Sequence, residues 1–169
     1  MDAILVVIYL SKGSDTMIIR KATAEDYEAA AALEQSVYKL HYENRKDFLR
    51  YRSEPLEKER FISMLDGMTY LLAEEDGMIL GQAIAYKRAY KDNPVFNDME
   101  WLEIDDISVL PEAQGKGVGK ALFEAMKQTA LDMGLHHIEL TVWAFNEKAK
   151  GFYEKLGMRS RIDRMEIHF

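Results

Sequence analysis

The sequence contains no cysteine among its 169 residues. Disulfide bonds, thiolate metal sites and cysteine nucleophiles are therefore excluded as sources of stability or chemistry. Because cysteine usage is what usually reports the redox compartment, the composition leaves that compartment undetermined. The cytoplasm is the default expectation.

Basic residues are too few to form a strongly positive surface. The 22 lysines and arginines stand against 29 aspartates and glutamates, which gives a formal net charge of -7. Binding to a nucleic-acid backbone depends on clustered Lys and Arg, so we expect no nucleic-acid partner. An acidic surface suits a cationic substrate, although the same charge also serves solubility.

The N-terminal apolar run is too short to cross a membrane. It extends from Ala3 to Leu10, whereas a membrane-spanning helix needs about 20 apolar residues. Asp2 stands where a secretory signal carries basic residues, and no small-residue cleavage site follows. We expect no membrane association, and we interpret residues 1–16 as a leader, an upstream start or an extra strand.

Length and composition predict one globular domain over residues 17–169. Apolar residues make up 48% of the chain and charged residues 30%, a balance typical of a packed core. Domains most often have about 100 to 150 residues, so a second core would have little left to bury. The chain shows no internal repeat, low-complexity tract or interdomain linker.

Hydrophobic periodicity predicts the elements of the first half of the chain. Ile18–Ala22 is typical of a short strand, and Thr23 with Asp26 forms an N-cap pattern before a helix that buries Leu33 and Val37. Three further elements follow: a second helix from Ser53 to Leu65, and two strands over Thr69–Ala73 and Met78–Tyr86, joined by a turn at Asp76 and Gly77.

The second half of the chain alternates strands and helices. The predicted elements are a strand over Met99–Val109, a helix over Gly117–Met133, a strand over His137–Trp143, a helix from Asn146 to Leu156 and a closing strand over Arg161–Phe169. This order predicts an α/β (α+β) fold with a mixed sheet flanked by helices.

A glycine-rich segment, Val109 to Lys120, carries the first functional signal. It leaves a strand, passes Pro111 and reaches Gly115, Gly117 and Gly119 before a long helix begins. Such a turn presents backbone N–H groups at the positive end of the helix dipole, where a phosphate or pyrophosphate binds. The spacing matches neither the P-loop nor the Rossmann fingerprint, so a nucleoside triphosphate and a dinucleotide are disfavoured.

The same segment, VLPEAQGKGVGK, resembles motif A of the GNAT acetyltransferases, in which a Pro, a Gln and glycines in this register bind the pyrophosphate of acetyl-CoA. The resemblance covers nearly the whole chain from Met17. It implies a single GNAT-like domain with a twisted, mostly antiparallel sheet whose strands splay at the acetyl-CoA site. It also implies a homodimer formed through the C-terminal strands.

A second segment, NEKAKGFYEKLGM, resembles motif B of that family. The resemblance implies that Asn146 contacts the pantetheine arm and that Tyr153 protonates the departing thiolate. It also implies that the backbone N–H of Val109 binds the acetyl carbonyl, as a preorganised donor for the developing oxyanion. The residues implied to bind acetyl-CoA are Ile107, Ser108, Val109, Gln114, Gly115, Lys116, Gly117, Val118, Gly119, Lys120, Asn146 and Tyr153.

A carboxylate is also needed, because a lysine-like amine has a pKa of about 10 and arrives protonated. Glu103 is the first choice of base. It lies six residues before Val109, similar to the basic Glu of histone-acetylating family members. A regular pleat would place Glu103, Asp105, Ile107 and Val109 on one face of their strand.

Other acidic residues of this strand are candidates for orienting a cationic acceptor, namely Glu100, Asp105 and Asp106. In amino-terminal-acetylating members of the family, the base stands five residues before the motif B Asn. This chain has Thr141 at that position, which weakens an assignment to that branch.

The sequence thus predicts an enzyme that transfers the acetyl group of acetyl-CoA to a primary amine by direct attack. The acceptor is a small cationic amine or a peptide or protein amine, and its identity depends on the segments 41–52 and 87–98. The alternatives are a non-catalytic CoA or acyl-CoA sensor and a transferase of a longer acyl group. No metal is expected, because the adjacent His136 and His137 would point to opposite faces of a strand.

Overall fold

A computed structural model describes residues 17–169, so the predicted leader or extra strand over residues 1–16 lies outside the described residues. In chain order, its elements are β1 (Ile18–Lys21), α1 (Tyr27–Asn44), α2 (Lys58–Gly67), β2 (Thr69–Glu75), β3 (Met78–Tyr90), β4 (Met99–Val109), α3 (Val118–Asp132), β5 (Ile138–Leu140) and α4 (Glu147–Lys155). Short 3-10 helices precede α1 and α3. Within residues 17–169, no helix combines the length and the apolar character needed to cross a membrane.

The strands form one open sheet in the order β1-β2-β3-β4-β5. Neighbours among the first four strands are antiparallel, while β5 runs parallel to β4. Asp76 and Gly77 join β2 to β3 with φ values of 50° and 77°, the left-handed conformation for which an Asp-Gly pair is favoured in tight hairpins. The predicted mixed, mostly antiparallel sheet flanked by helices is confirmed.

Helices cover both faces of the sheet. On one face, the buried residues of α3 recur with a helical period, as expected of an amphipathic helix. Tyr153 of α4 and Leu156, which follows that helix directly, pack against the same large core. On the other face, Ala30 of α1 and Phe61 of α2 pack in a smaller core with Tyr70 and other strand residues. The molecule therefore has three layers, with the sheet in the middle.

A β-bulge interrupts β4. Ile104 pairs with Ala85 of β3, and Asp106 pairs with the preceding β3 residue, Ile84. Asp105 is the extra residue between them. A bulge inserts one residue without a partner and bends the strand, so the alternation of side chains along β4 changes phase at Asp105.

Because of this bulge, Glu103 and Val109 lie on opposite faces of the sheet. Ile107 and Val109 pack against the large core beneath α3. Glu103 precedes the bulge and alternates with its neighbour Leu102, which belongs to that same core. The expectation that Glu103, Asp105, Ile107 and Val109 share one face is therefore wrong, since it assumed a regular pleat.

The closing strand predicted over Arg161–Phe169 is also wrong. These residues form no strand, and all of them are exposed. Their alternating apolar side chains suit a strand, but a strand also needs a neighbouring backbone to complete its hydrogen bonds, and pattern alone does not supply one. The homodimer implied by the family resemblance stays a prediction.

Several predicted boundaries move. β3 continues to Tyr90 beyond the predicted end at Tyr86, and β5 has three residues in place of the predicted seven. The second helix begins at Lys58, because Glu57 keeps an extended N-cap conformation with φ -82° and ψ 147°. α1 extends to Asn44, which places the start of the polar segment 41–52 on a helix.

Candidate functional site

The sheet opens between β4 and β5. Their pairing ends at Ile104 and Leu140, while β4 continues to Val109 beside β3. Beyond Ile104, the outer edge of β4 faces no other strand among the described residues, so its peptide groups are free to pair with a ligand. The N–H of Leu110 donates to the carbonyl of Leu80 at 2.9 Å. Since successive strand amides point to opposite edges, the N–H of Val109 points into this opening.

The turn at the start of α3 forms a cradle of backbone N–H groups. Gly115 and Gly117 have φ values of 79° and 93°, a left-handed conformation that glycine adopts without strain. The first turn of a helix offers its N–H groups no intrahelical partner, so the amides of Val118, Gly119 and Lys120 are available to a ligand at the positive end of the dipole. This cradle fits a pyrophosphate.

Gln114 links the cradle to its surroundings. Its Nε2 donates to the carbonyl of Val109 at 3.2 Å, and its Oε1 accepts from Nζ of Lys148 on α4. The Gln of the predicted motif therefore fixes the loop between β4 and α4. Lys116 and Lys120 are exposed beside the cradle, where their ammonium groups are available to phosphate oxygens.

α4 begins at the opening with the predicted N-cap. The Oδ1 of Asn146 accepts from the N–H of Ala149 at 3.1 Å, which leaves the side-chain N–H groups of Asn146 free to donate elsewhere. Tyr153 follows about two turns later and packs against Phe123 and Phe152. Burial, with a smaller contribution from the Asp106 carboxylate, raises the pKa of Tyr153. Its phenol is therefore a protonated donor at neutral pH.

A buried polar network follows the bulge on the α1 side of the sheet. Tyr70 Oη donates to Gln82 Oε1 at 2.8 Å, and Gln82 Nε2 donates to Asp106 Oδ2 at 3.0 Å. Ser108 Oγ donates to the same oxygen at 2.8 Å. Burial raises the pKa of Asp106, and these two hydrogen bonds oppose the rise. The Ser108 side chain thus supports Asp106, so only its backbone is free to face a ligand in the opening.

The remaining predicted carboxylates are spread along β4. Glu103 accepts a 2.7 Å hydrogen bond from Nε1 of Trp101 and lies where β4 is still paired with β5. Glu100 pairs with Lys87 at 2.7 Å near the start of the strand. Asp105 is exposed at the bulge itself. The structure therefore brings Asp105 and Asp106 to the opening and leaves Glu100 away from it.

The sequence prediction missed several side chains around the opening. Glu34 of α1 is partly buried, and this burial, together with the nearby charges of Asp106 and Asp105, raises its pKa. His41, about two turns further along α1, packs against the rings of Trp143 and Phe145 with ring centroids 6.0 Å apart. Burial lowers the pKa of His41. The sequence did contain a signal for them, because Glu34 and His41 are polar residues at positions on the apolar stripe of α1.

One group of acidic and imidazole side chains within residues 17–169 comes close enough to share an ion. It consists of the exposed residues Asp47, Glu166 and His168. Arg45 already pairs with Asp47 at 2.9 Å and with Glu166 at 2.8 Å. The guanidinium occupies the carboxylates that a metal would need, so this group carries no case for a metal site.

Comparisons with known sequences agree with this geometry. The model of the "Acetyltransferase (GNAT) family" matches residues 34–158. The uncharacterized N-acetyltransferase YhfO of Bacillus subtilis is 29% identical over 147 residues, which cover 83% of this chain and 89% of YhfO. The mycothiol acetyltransferase of Paenarthrobacter aurescens is 49% identical over 55 residues, which cover 32% of this chain and only 17% of that protein.

Solved structures show the same fold. A tetramutant of the BH1408 protein from Bacillus halodurans matches with a TM-score of 0.86 and 31% identity, covering 90% of this chain and 99% of that one. The family match spans most of the chain and includes β4, the glycine-rich turn and α4. The chain therefore belongs to the acetyltransferase (GNAT) family.

Proposed function

We propose that this protein transfers the acetyl group of acetyl-CoA to a primary amine. The observation that carries the proposal is the arrangement along one opening of the sheet: the amide cradle of α3, the free edge of β4 and the protonated phenol of Tyr153. Membership of the GNAT family and the N-acetyltransferase name of YhfO support the same conclusion.

In this proposal, the diphosphate of acetyl-CoA binds the N–H groups of the cradle from Gly115 to Lys120. The pantetheine arm then extends along the free edge of β4 as an added strand and pairs with the backbone of Ile107–Val109. The side-chain N–H groups of Asn146 donate to the arm from the other side of the opening. The thioester consequently lies between β4 and Tyr153.

The transfer itself is a direct displacement. The neutral amine attacks the thioester carbon, the N–C bond forms, and the C–S bond breaks. The N–H of Val109 donates to the carbonyl oxygen as negative charge develops there. Tyr153 gives its proton to the departing sulfur and regains one from solvent, while the newly acylated nitrogen loses its extra proton to solvent. The developing oxyanion and the departing sulfur thus each have a partner in the opening.

The acceptor in this proposal is a small cationic amine or a peptide or protein amine. Asp105 and Asp106 support it, because two carboxylates at the mouth of the opening attract an ammonium group. Glu103, the base predicted from the sequence, faces the same side of the sheet as these residues. Its role stays a prediction.

A thiol-release assay tests the proposal. We expect acetyl-CoA to release free CoA when the protein is incubated with at least one member of a panel of polyamines, aminoglycosides, amino acids and peptides. Mass spectrometry of the acceptor should show one added acetyl group. Tight CoA binding with no thiol release across the panel would contradict the proposal and favour a sensor.

A further inference from the structure

α1 has a charged residue, Glu34, on the face of the helix that packs against the sheet, where an apolar residue is expected. The helix packs against β3 and β4, and its sheet-facing stripe begins with the buried residues Ala30 and Leu33. Glu34 continues that stripe, one turn after Ala30, and is partly buried. Burying a carboxylate costs free energy unless partners compensate it, so this position is not explained by packing.

The surroundings of Glu34 supply little compensation. Within residues 17–169, no hydrogen bond or ion pair holds its carboxylate. The charges of Asp106 and Asp105 on β4 act on it, as its own charge acts on Tyr70 of β2. In the described part of the chain, Arg60 of α2 is the one cation whose charge opposes them at Glu34. Burial first, and then Asp106 and Asp105, raise the pKa of Glu34 to about 7.

Glu34 also lies near the part of the sheet where β4 and β5 separate. Asp105 and Asp106 are the first residues of β4 after its pairing with β5 ends. Glu34 stands on α1 between Ala30, which packs with the β3 partner of Asp106, and His41, which packs against Trp143 beyond β5, so α1 carries Glu34 across the opening. Asp106 is near enough to influence Tyr153 as well. Glu103, by contrast, lies in the paired part of β4 and already accepts the indole N–H of Trp101.

We propose that Glu34 is the base that removes the proton from the acceptor amine, with Asp105 and Asp106 holding the ammonium group beside it. The proposal rests on the acetyl transfer proposed above. The ammonium proton passes to the Glu34 carboxylate, and the freed amine forms the N–C bond as the C–S bond breaks. Tyr153 protonates the sulfur, and the acylated nitrogen gives up its second proton to solvent. Tyr153 then regains a proton from solvent, and Glu34 releases the proton that it took.

The pH dependence of kcat/KM tests this role in the full chain, with an acceptor found active in the thiol-release panel. For the wild-type protein, kcat/KM should rise with pH through about 7 as Glu34 ionises. Glu34→Gln should lower kcat/KM by at least about 100-fold, in the range usual for a general base. The ratio of the wild-type kcat/KM to that of Glu34→Gln should rise with pH near 7. Ionisation of the acceptor affects both proteins equally and cancels in that ratio.

Two variants and one binding measurement complete the test. Glu34→Asp should keep part of the activity and the pH step, and Glu28→Gln, an exposed change on the same helix, should leave both unchanged. The Kd for acetyl-CoA should stay within about two-fold in Glu34→Gln, which shows that the site is folded. A merely structural role would move that Kd or the melting temperature and leave the pH step in place.

The outcomes separate this role from the proposed function. An active wild-type protein whose Glu34→Gln variant keeps its rate and pH step overturns the role of Glu34. If Glu103→Gln instead lost the rate and the pH step, the base would be Glu103. A wild-type protein that binds acetyl-CoA and releases no thiol overturns the proposed acetyl transfer, and the role of Glu34 with it.

Discussion

Replacing Tyr153 with Phe should lower kcat by about 100-fold, the effect usual for loss of a general acid, while the KM for acetyl-CoA stays within about two-fold. The change removes one hydroxyl and keeps the ring that packs against Phe123 and Phe152. The raised pKa of Tyr153 keeps the phenol protonated at neutral pH, so it has a proton to give to the thiolate. Initial rates of thiol release at varied acetyl-CoA concentrations measure both constants.

Tyr90→Phe is the control for this prediction. Tyr90 packs with Phe96 and Trp101 at the end of β3 and has no place in the proposed transfer. It should therefore keep the wild-type kcat. If Tyr153→Phe also keeps it, Tyr153 is not the acid, and the proton must reach the sulfur from another group or from water.

Replacing Gly117 with Ala should raise the Kd for acetyl-CoA at least tenfold. Gly117 starts α3 with a φ of 93°, and an L-residue held there costs about 1 to 2 kcal/mol. The turn either keeps this strain or rotates the N–H groups of the cradle away from the diphosphate. A loss of about 1.4 kcal/mol in binding corresponds to tenfold in Kd. Isothermal titration calorimetry with CoA and acetyl-CoA measures it.

Gly134 provides a matched control at the other end of the same helix. It also has a positive φ, 72°, and open space around the position of a Cβ, so Gly134→Ala should introduce similar strain without touching the cradle. We expect both variants to lose thermal stability and only Gly117→Ala to lose affinity. Equal Kd values for the two variants would mean that the turn does not bind the diphosphate.

The features that the sequence predicts correctly depend on local signals. The Asp76–Gly77 hairpin requires only a turn in which two successive residues take positive φ. The Asn146 cap is likewise local, and the helical period of α3 depends on residues within that one helix. These elements bracket the opening, which is why the glycine-rich turn and α4 could be assigned before the structure was known.

The features that the sequence misses depend on contacts between distant segments. The bulge at Asp105 exists because β4 pairs with β3 in two registers, 106 with 84 and 104 with 85, and no pattern within β4 reveals this. Glu34 gains its interest only from Asp105 and Asp106, some seventy residues away in the chain. The exposed segment 161–169 shows the reverse, since a strand pattern formed no strand without a neighbour to pair with.

Amide chemical-shift mapping of the 15N-labelled protein shows which backbone N–H groups bind acetyl-CoA. On addition of acetyl-CoA, the amides of Val109, Gly115, Gly117, Gly119 and Lys120 should show the largest shifts, followed by those around Asn146. Away from the opening, a cavity of about 700 Å³ lies between β3, β4 and the α3–β5 loop, lined in part by Tyr90 and His137. Shifts confined to that cavity, with the cradle amides unchanged, would contradict the account.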